Sequence, residues 1–179
     1  MGYYSSLINR KFRDVVGNRY EGVLKDYKEF ILTDEDLLKD VSTILLPLDI
    51  FVKDIPGELY DLFEIYDAEV TLLYITDKDV VSIVDEILGE EVAADYVRKK
   101  ENYGHSLMDK ISSEMNHRNI RSKSRTSSGQ KWDDVEILSK DFDLVAISKF
   151  YGGGRGDEHE ISPVAQRLVQ QIRTIAVLY

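Results

Sequence analysis

Two stretches of the sequence carry residues that could line a ligand crevice. Thr43–Asp49 is a short apolar run that stops at a proline and an acid. Ser148–Gly156 follows the apolar run Asp143–Ile147 and contains four glycines and Arg155. Free glycine amides form a concave anion site, and an arginine binds phosphate through two parallel hydrogen bonds. One strand that ends in an acid and another that ends in a glycine loop together predict a nucleotide crevice.

The first of these runs is predicted to be a central strand. Residues 43–46 are four consecutive apolar or β-branched residues, too few for a buried helix and typical of a strand covered on both faces. Pro47 has no amide hydrogen for a central ladder, so we expect it near the carboxyl end of the strand. Asp49 then lies at the edge of the sheet where open α/β sheets bind ligands.

The remaining elements alternate along the chain. Apolar spacing predicts helices over 55–66, 79–88, 92–116 and 132–140 and another that begins at Pro163. Further strands are predicted at Glu69–Ile75, Asn119–Thr126 and Thr174–Tyr179. We interpret Asn119–Thr126 as an edge strand, followed by a turn, because its polar and basic side chains discourage aggregation. The prediction is an open, mostly parallel five-stranded α/β sheet with helices on both faces.

Residues 1–41 are predicted to form an N-terminal helical extension to an α/β domain at 42–179. A helix over residues 5–31 carries an aromatic-rich stripe, and a shorter helix follows Thr33. The stripe consists of Phe12, Val16, Tyr20, Val23, Tyr27 and Phe30. An apolar surface of this size must be covered. Its own domain, a second copy and an unknown protein partner are the three alternatives.

Composition excludes several classes of protein. The net charge of −10 argues against a dedicated nucleic-acid binder, and no apolar run approaches the roughly 20 residues of a membrane span. The chain has no cysteine and no visible signal peptide, which predicts a cytoplasmic protein. Residues 49–95 are acidic, whereas residues 98–131 are basic. The basic stretch indicates one of two things. It forms solvent-exposed helix faces and an edge strand protected from aggregation by Lys and Arg, or it is a surface for an anionic partner.

Residues 42–179 resemble the universal stress protein family. The matching stretches are Ile44–Asp49, Ala68–Asp77, Asp143–Ile147 and the segment from Val164 through Leu178. The resemblance implies strand order 3-2-1-4-5, with a crevice between the strands that end at Asp49 and Ile147. It also implies a homodimer formed through the C-terminal strand, and a role in the stress response.

Family members that bind ATP carry a loop of the form Gly-x2-Gly-x9-Gly-Ser/Thr after the fourth strand. Gly152 matches the middle glycine, but Ser162 and Pro163 replace the final pair, and the first glycine is lost. Pro163 has no amide to donate to a phosphate. The resemblance therefore implies weak or absent ATP binding. The binding residues it implies are Pro47, Leu48, Asp49, Ile75, Ile147, Ser148, Gly152, Gly154, Arg155 and Ser162.

The sequence predicts neither catalytic nor metal-binding residues. His105, His117 and His159 are scattered without ligand spacing, and no nucleophile elbow or Walker lysine is present. We therefore predict a non-enzymatic, universal-stress-protein-like regulatory or adaptor protein. One alternative is a genuine ATP-binding member with a rebuilt loop and slow hydrolysis. The other is a docking module that uses the N-terminal helix.

Overall fold

A computed structural model describes residues 41–52, 54–153 and 161–179. The predicted N-terminal helices lie outside these ranges, so the extension and its boundary stay predictions. Strands and helices alternate through the described chain. In order they are β1 (Thr43–Leu48), α1 (Gly57–Tyr66), β2 (Glu69–Asp77), α2 (Lys78–Leu88), α3 (Glu90–His117), β3 (Ser122–Gly129), α4 (Lys131–Ser139), β4 (Leu144–Ile147), α5 (Pro163–Gln171) and β5 (Ile175–Leu178).

The five strands form one sheet in the order β3-β2-β1-β4-β5. All four neighbouring pairs are parallel, so the predicted order is confirmed and the sheet is parallel throughout. The chain leaves β1 toward one edge and later returns to β4 on its other side. Right-handed crossovers therefore place α1 and α3 on one face and α4 and α5 on the other. The winding reverses between β1 and β4, and in open α/β sheets the carboxyl ends at this point are the usual place for a ligand.

The core lies on both sides of the central strands. Every residue of β4 is buried, as are five of the six residues of β1. Phe63 of α1 and Met108 of α3 are buried against the sheet, as are Val135 of α4 and Leu168 of α5. Burial on both faces explains why β1 and β4 have continuous apolar sequences rather than alternating ones. Pro47 is the fifth of six residues in β1, as its missing amide hydrogen predicts.

Helix α3 continues through Gly104, which packs directly against the ring of Tyr74. A Cβ atom at Gly104 would lie 2.4 Å from Cδ1 and 2.6 Å from Cγ of Tyr74, which stands on β2. The missing side chain lets the helix approach the sheet closely. This close approach offsets the helix propensity that a glycine loses relative to alanine.

The predicted bounds of the third strand are wrong by three residues. We expected Asn119–Thr126 followed by a turn, but β3 is Ser122–Gly129 and pairs with β2 along its whole length. Asn119 has a φ of +59° and ends the helical segment in a left-handed turn, and Ile120 is buried. The strand is an edge strand, as predicted. Its polar sequence has no apolar alternation, so its ends are determined by hydrogen bonding to β2 and not by its own pattern.

Large apolar side chains are exposed at several places in the described chain, among them β5 and helix α2. At the edge opposite β3, Ile175 and Leu178 of β5 are 45% and 37% exposed. Helix α2 buries no residue, and its Ile87 is 71% exposed. None of the helices in the described ranges combines the length and the apolarity that a membrane span requires.

Candidate functional site

Asp49 joins the two loops that border the crevice. It follows β1 directly, and it is only 1% exposed. Its Oδ1 accepts a hydrogen bond from the Phe51 amide at 2.9 Å, and its Oδ2 accepts one from the Gly152 amide at 2.6 Å. The ammonium group of Lys131 lies 3.6 Å from Oδ2. Two amides and one cation thus stabilise the charge of a buried carboxylate.

The glycines after β4 allow this loop to pack on the start of α5. Gly152 has a φ of +71°, and a Cβ atom there would lie 2.6 Å from Cβ of Val164. A Cβ atom at Gly153 would lie 2.5 Å from Cβ of Ser162. Both glycines therefore serve the contact between the loop and the helix.

The first turn of α5 uses its own hydrogen-bonding groups. Ser162 is the N-cap, and its Oγ accepts a hydrogen bond from the Ala165 amide at 3.0 Å. The same hydroxyl donates to the carbonyl of Tyr151. Pro163 occupies the next position and has no amide hydrogen. Of the amides that a bound phosphate would need, one is absent and another is occupied.

A cleft of about 290 Å³ opens beside Gly152, above the carboxyl ends of β1, β2 and β3. Its polar lining comes from the end of β2, the start of α2, helix α3 and the start of α4. Its polar and aromatic lining residues include Phe51, Tyr74, Asp77, Asp79, Tyr96, Lys100, Gln130, Lys131 and Trp132. The volume lies near the lower end of the range for small-ligand pockets in proteins, which begins at about 300 Å³.

The acids of the cleft already have structural roles. Asp77 caps α2, because its Oδ1 accepts hydrogen bonds from the amides of Asp79 and Val80. Asp79 Oδ2 accepts a hydrogen bond from Gln130 Nε2 at 3.1 Å. Within the described ranges, no group of three histidine, aspartate or glutamate side chains is arranged to hold a metal ion.

The basic stretch 98–131 is largely neutralised by the acidic stretch 49–95. Seven of its nine bases form ion pairs with acids of that stretch, for example Lys123 with Glu69 at 2.6 Å and Arg118 with Asp61 at 3.0 Å. The other five are Arg98, Lys99, Lys110, Arg121 and Lys131. The two oppositely charged stretches of the sequence therefore mainly pair with each other, within α3 for Arg98 and Lys99 and between elements for the other five bases. This pairing disfavours the interpretation that an anionic partner docks along the whole stretch.

Lys100 is one of the two bases left over, and it faces the cleft. Among the described residues it forms no ion pair or hydrogen bond, and its ammonium lies 5.2 Å from the centre of the Tyr96 ring. Burial lowers the pKa of Lys100, and the nearby charge of Lys131 lowers it further, while Asp49 opposes the shift. The other base, Arg125, is exposed on the edge strand β3.

Burial raises the pKa of two tyrosines around the site. The pKa of Tyr74 is raised by burial and then by the charge of Asp49. The pKa of Tyr151 is also raised well above its ordinary value by burial, with Asp49 adding to the effect. Both phenols therefore stay neutral at physiological pH and contribute no charge to the cleft.

Solved structures share this arrangement of strands and helices. Hypothetical protein MJ0577, the subject of a structure-based assignment of biochemical function, aligns with a TM-score of 0.61 at 15% identity, over 78% of this chain and 96% of its own. A protein from the universal stress protein family from Burkholderia pseudomallei aligns with a TM-score of 0.56 at 17% identity, over 79% of this chain and 97% of its own. The fold is that of the universal stress proteins.

At these identities the similarity shows the fold and leaves the ligand open. A universal stress protein family protein from Arabidopsis thaliana, with AMP bound, aligns at a TM-score of 0.49 and 12% identity, over 76% of this chain and 90% of its own. That similarity is too weak to indicate a ligand for this chain. No protein-family model matches the sequence, and no curated protein matches it significantly.

On this universal stress protein fold, the predicted binding residues divide into three groups. Ile75 and Gly152 line the cleft, and Asp49 binds the Gly152 amide. Five further residues are buried but do not line the cleft, namely Pro47, Leu48, Ile147, Ser148 and Ser162. Gly154 and Arg155 lie outside the described residues. The prediction that these residues bind a nucleotide stays a prediction.

Sequence reasoning missed most of the polar lining. Gln130 and Lys131 follow β3 directly, so a correct end for that strand would have placed them at the carboxyl edge of the sheet. Asp77 ends β2 in the same way. Lys100 carried no such signal, because its position depends on how α3 is rotated against the sheet.

Proposed function

We propose that this protein is a non-enzymatic regulatory or adaptor protein whose glycine loop binds ATP weakly or not at all. The observation that carries the proposal is the 2.6 Å hydrogen bond from the Gly152 amide to the Asp49 carboxylate. A phosphate bound at this amide would have to displace an ionised acceptor. It would also lie beside a negative charge in a poorly solvated place.

The start of α5 supports the same proposal. Phosphate sites at helix N-termini depend on free amides that point at the anion. Here Pro163 lacks one and the Ser162 hydroxyl occupies another. The side chains of Val164 and Ser162 also fill the space next to Gly152 and Gly153.

The proposal that the protein has no enzymatic activity is supported by the engagement of the acids at the crevice. A general base must come within hydrogen-bond reach of the proton it takes, and structural hydrogen bonds that fix a carboxylate elsewhere make it less available for this role. Asp49 accepts two amide hydrogen bonds, Asp77 caps α2, and Asp79 accepts from Gln130. Each of these carboxylates therefore already has a structural hydrogen-bonding role.

We also propose a homodimer that forms through β5. This strand pairs with β4 on one side, and its other edge is unpaired within the described sheet. Its apolar side chains, including Ile175, are partly exposed, and such an edge promotes aggregation unless another strand covers it. A two-fold axis beside β5 would pair the two edges.

The alternative function, genuine ATP binding, is favoured by one observation. The cleft lies directly beside Gly152, and its lining includes Ile75, a residue that the family resemblance implies for the ribose and adenine side. Isothermal titration with ATP and mass spectrometry of the purified, undenatured protein distinguish the two functions. We expect no co-purified nucleotide and a Kd for ATP in the millimolar range. A micromolar Kd or stoichiometric ATP would overturn the regulatory proposal in favour of the alternative.

A further inference from the structure

The pairing of charges singles out one cation. Seven of the nine bases in residues 98–131 have an acidic partner, and an eighth, Arg125, is exposed on the edge strand. Lys100 alone is half-buried at a cleft without an ion pair among the described residues. A partly desolvated ammonium without an anion is unfavourable, and a bound anion would relieve that cost.

A second cation lies at the same cleft. Lys131 is 20% exposed, and its ammonium lies 3.6 Å from Asp49. This distance exceeds that of a normal charge-assisted hydrogen bond, about 2.8 Å, so the pairing is loose. Lys100 and Lys131 line the same cleft, and the charge of Lys131 lowers the pKa of Lys100. One anion between the two ammonium groups would be attracted to both of them.

We propose that the cleft binds a compact phosphomonoester whose phosphate is held by Lys100 and Lys131 instead of by the glycine loop. This inference rests on the proposed function in one respect, namely that Asp49 already occupies the Gly152 amide. The phosphate would lie on the side of the cleft formed by α3 and the start of α4. The organic part of the ligand would lie against the aromatic lining, which includes Tyr96 and Trp132.

The charge of the cleft limits the ligand to one phosphate. The two ammonium groups, one of which also faces Asp49, can offset the charge of one phosphomonoester at most. Additional phosphates would meet the carboxylates of Asp77 and Asp79, which line the same small cleft. The affinity should therefore fall from a nucleoside monophosphate to the triphosphate, which is the reverse of the order for a loop that holds a triphosphate chain. A ring on the phosphomonoester should add affinity through the aromatic lining.

The test is isothermal titration of the full-length protein with AMP, ribose 5-phosphate, adenosine and ATP. We expect AMP to bind at least fivefold more tightly than ATP and ribose 5-phosphate more weakly than AMP, with adenosine showing no binding. Lys100→Met should weaken AMP binding at least tenfold, and Lys100→Arg should stay within threefold of wild type. The matched control is Lys99→Met, which removes a neighbouring exposed charge that is paired with Asp95. It should leave AMP affinity unchanged.

Any other result overturns the inference. The results below also distinguish a failure of the lysine site from a failure of the proposed function. If AMP does not bind at millimolar concentration, or if Lys100→Met and Lys99→Met bind it equally, the lysine site is wrong and the regulatory proposal stands. If ATP binds in the micromolar range and more tightly than AMP, and Lys100→Met has no effect, both are wrong. If Lys100→Met is misfolded by circular dichroism, Lys100→Gln is titrated in its place against the same control, with the same loss expected.

Discussion

The carboxylate of Asp49 and the amide of Gly152 form a hydrogen bond of 2.6 Å between residues 103 positions apart in the chain. The bond joins the end of β1 to the loop after β4, across the point where the winding of the sheet reverses. In an open α/β sheet this point is the usual place for a ligand. Here a side chain of the protein takes the position at the glycine amide that an anion would otherwise occupy.

Removing the charge of Asp49 should therefore make the crevice more receptive to anions. We expect Asp49→Asn to lower the free energy of unfolding by about 1–3 kcal/mol, because a buried charged acceptor is lost. ATP should bind about tenfold more tightly, because a negative charge beside Gly152 is gone. Urea unfolding and isothermal titration measure the two effects. The control, Asp109→Asn, removes an exposed charge on α3 and should change neither stability nor ATP affinity. A folded Asp49→Asn protein with unchanged ATP affinity would contradict the prediction.

Asp143 should make stability depend on pH in acid. Its Oδ2 accepts four hydrogen bonds from Ser42 and Thr43, at 2.8 to 3.0 Å, and so ties the start of β4 to the start of β1. These bonds, of which the one from the Ser42 hydroxyl contributes most, lower the pKa of Asp143 from 3.8 to about 2. Because the folded state has the lower pKa, the stabilisation is present above about pH 4. It is lost as the pH falls from about 4 toward about 2.

Equilibrium unfolding at several pH values tests this assignment. Asp143→Asn should remove the contribution of Asp143 to the pH dependence between about pH 4 and pH 2 and lower stability at neutral pH. Ser42→Ala removes only one donor and should have a smaller effect in the same direction. If Asp143→Asn leaves the pH dependence of unfolding unchanged, the carboxylate does not stabilise the start of the two strands.

Gly104→Ala should destabilise the protein although alanine favours helix formation. The added methyl would overlap the buried Tyr74 ring, with a separation of 2.4 Å from Cδ1. Overpacking of this kind costs about 1–3 kcal/mol, which exceeds the roughly 1 kcal/mol that alanine gains in a helix. Gly57→Ala in α1 is the control, because a methyl there would meet no atom within 4 Å. In thermal unfolding, the Gly57→Ala control should have a melting temperature at or above that of wild type. Equal stability of Gly104→Ala and Gly57→Ala would contradict the prediction.

The β5 edge should determine the oligomeric state. We expect light scattering to give the mass of a dimer at tens of micromolar protein. Leu178→Lys places a charge on the exposed edge and should shift the protein to monomers. Ile65→Lys changes a residue of α1 that is 56% exposed and should leave the dimer intact. A monomeric wild-type protein, or a dimer that is insensitive to Leu178→Lys, would require a different interface or none.

Deletion of residues 1–40 should leave the α/β sheet folded, since all five strands lie beyond the cut. The cut belongs before Val41, because this side chain is 4% exposed in the core and Ser42 binds Asp143. We expect native-like circular dichroism with lower solubility or an altered oligomeric mass. The truncation removes the aromatic-rich stripe and so exposes any apolar surface on which the stripe packs. Unchanged solubility, mass and melting temperature would favour a docking role for the N-terminal helix toward another protein.

The sequence determined the parts of the fold that depend on burial. Predominantly apolar runs identify β1, β2 and β4, because strands covered on both faces read as near-continuous apolar sequence. Helices between them imply parallel crossovers, and Pro47 marks the end of its own strand. The acid after β1 and the glycines after β4 could both be assigned to the crevice, because carboxyl ends of neighbouring parallel strands meet at one edge.

Tertiary structure alone decided how these residues are used. The ends of β3 follow from its pairing with β2, because an exposed polar edge strand has no apolar pattern of its own. The fit of Gly104 to the Tyr74 ring depends on the distance between α3 and the sheet. Lys100 reaches the cleft because packing fixes the rotation of α3, while its neighbours Arg98 and Lys99 pair with Asp95 on the same helix. Hydrogen bonds and charges act across a few ångströms in space, so the chain order could not show that Asp49 binds Gly152.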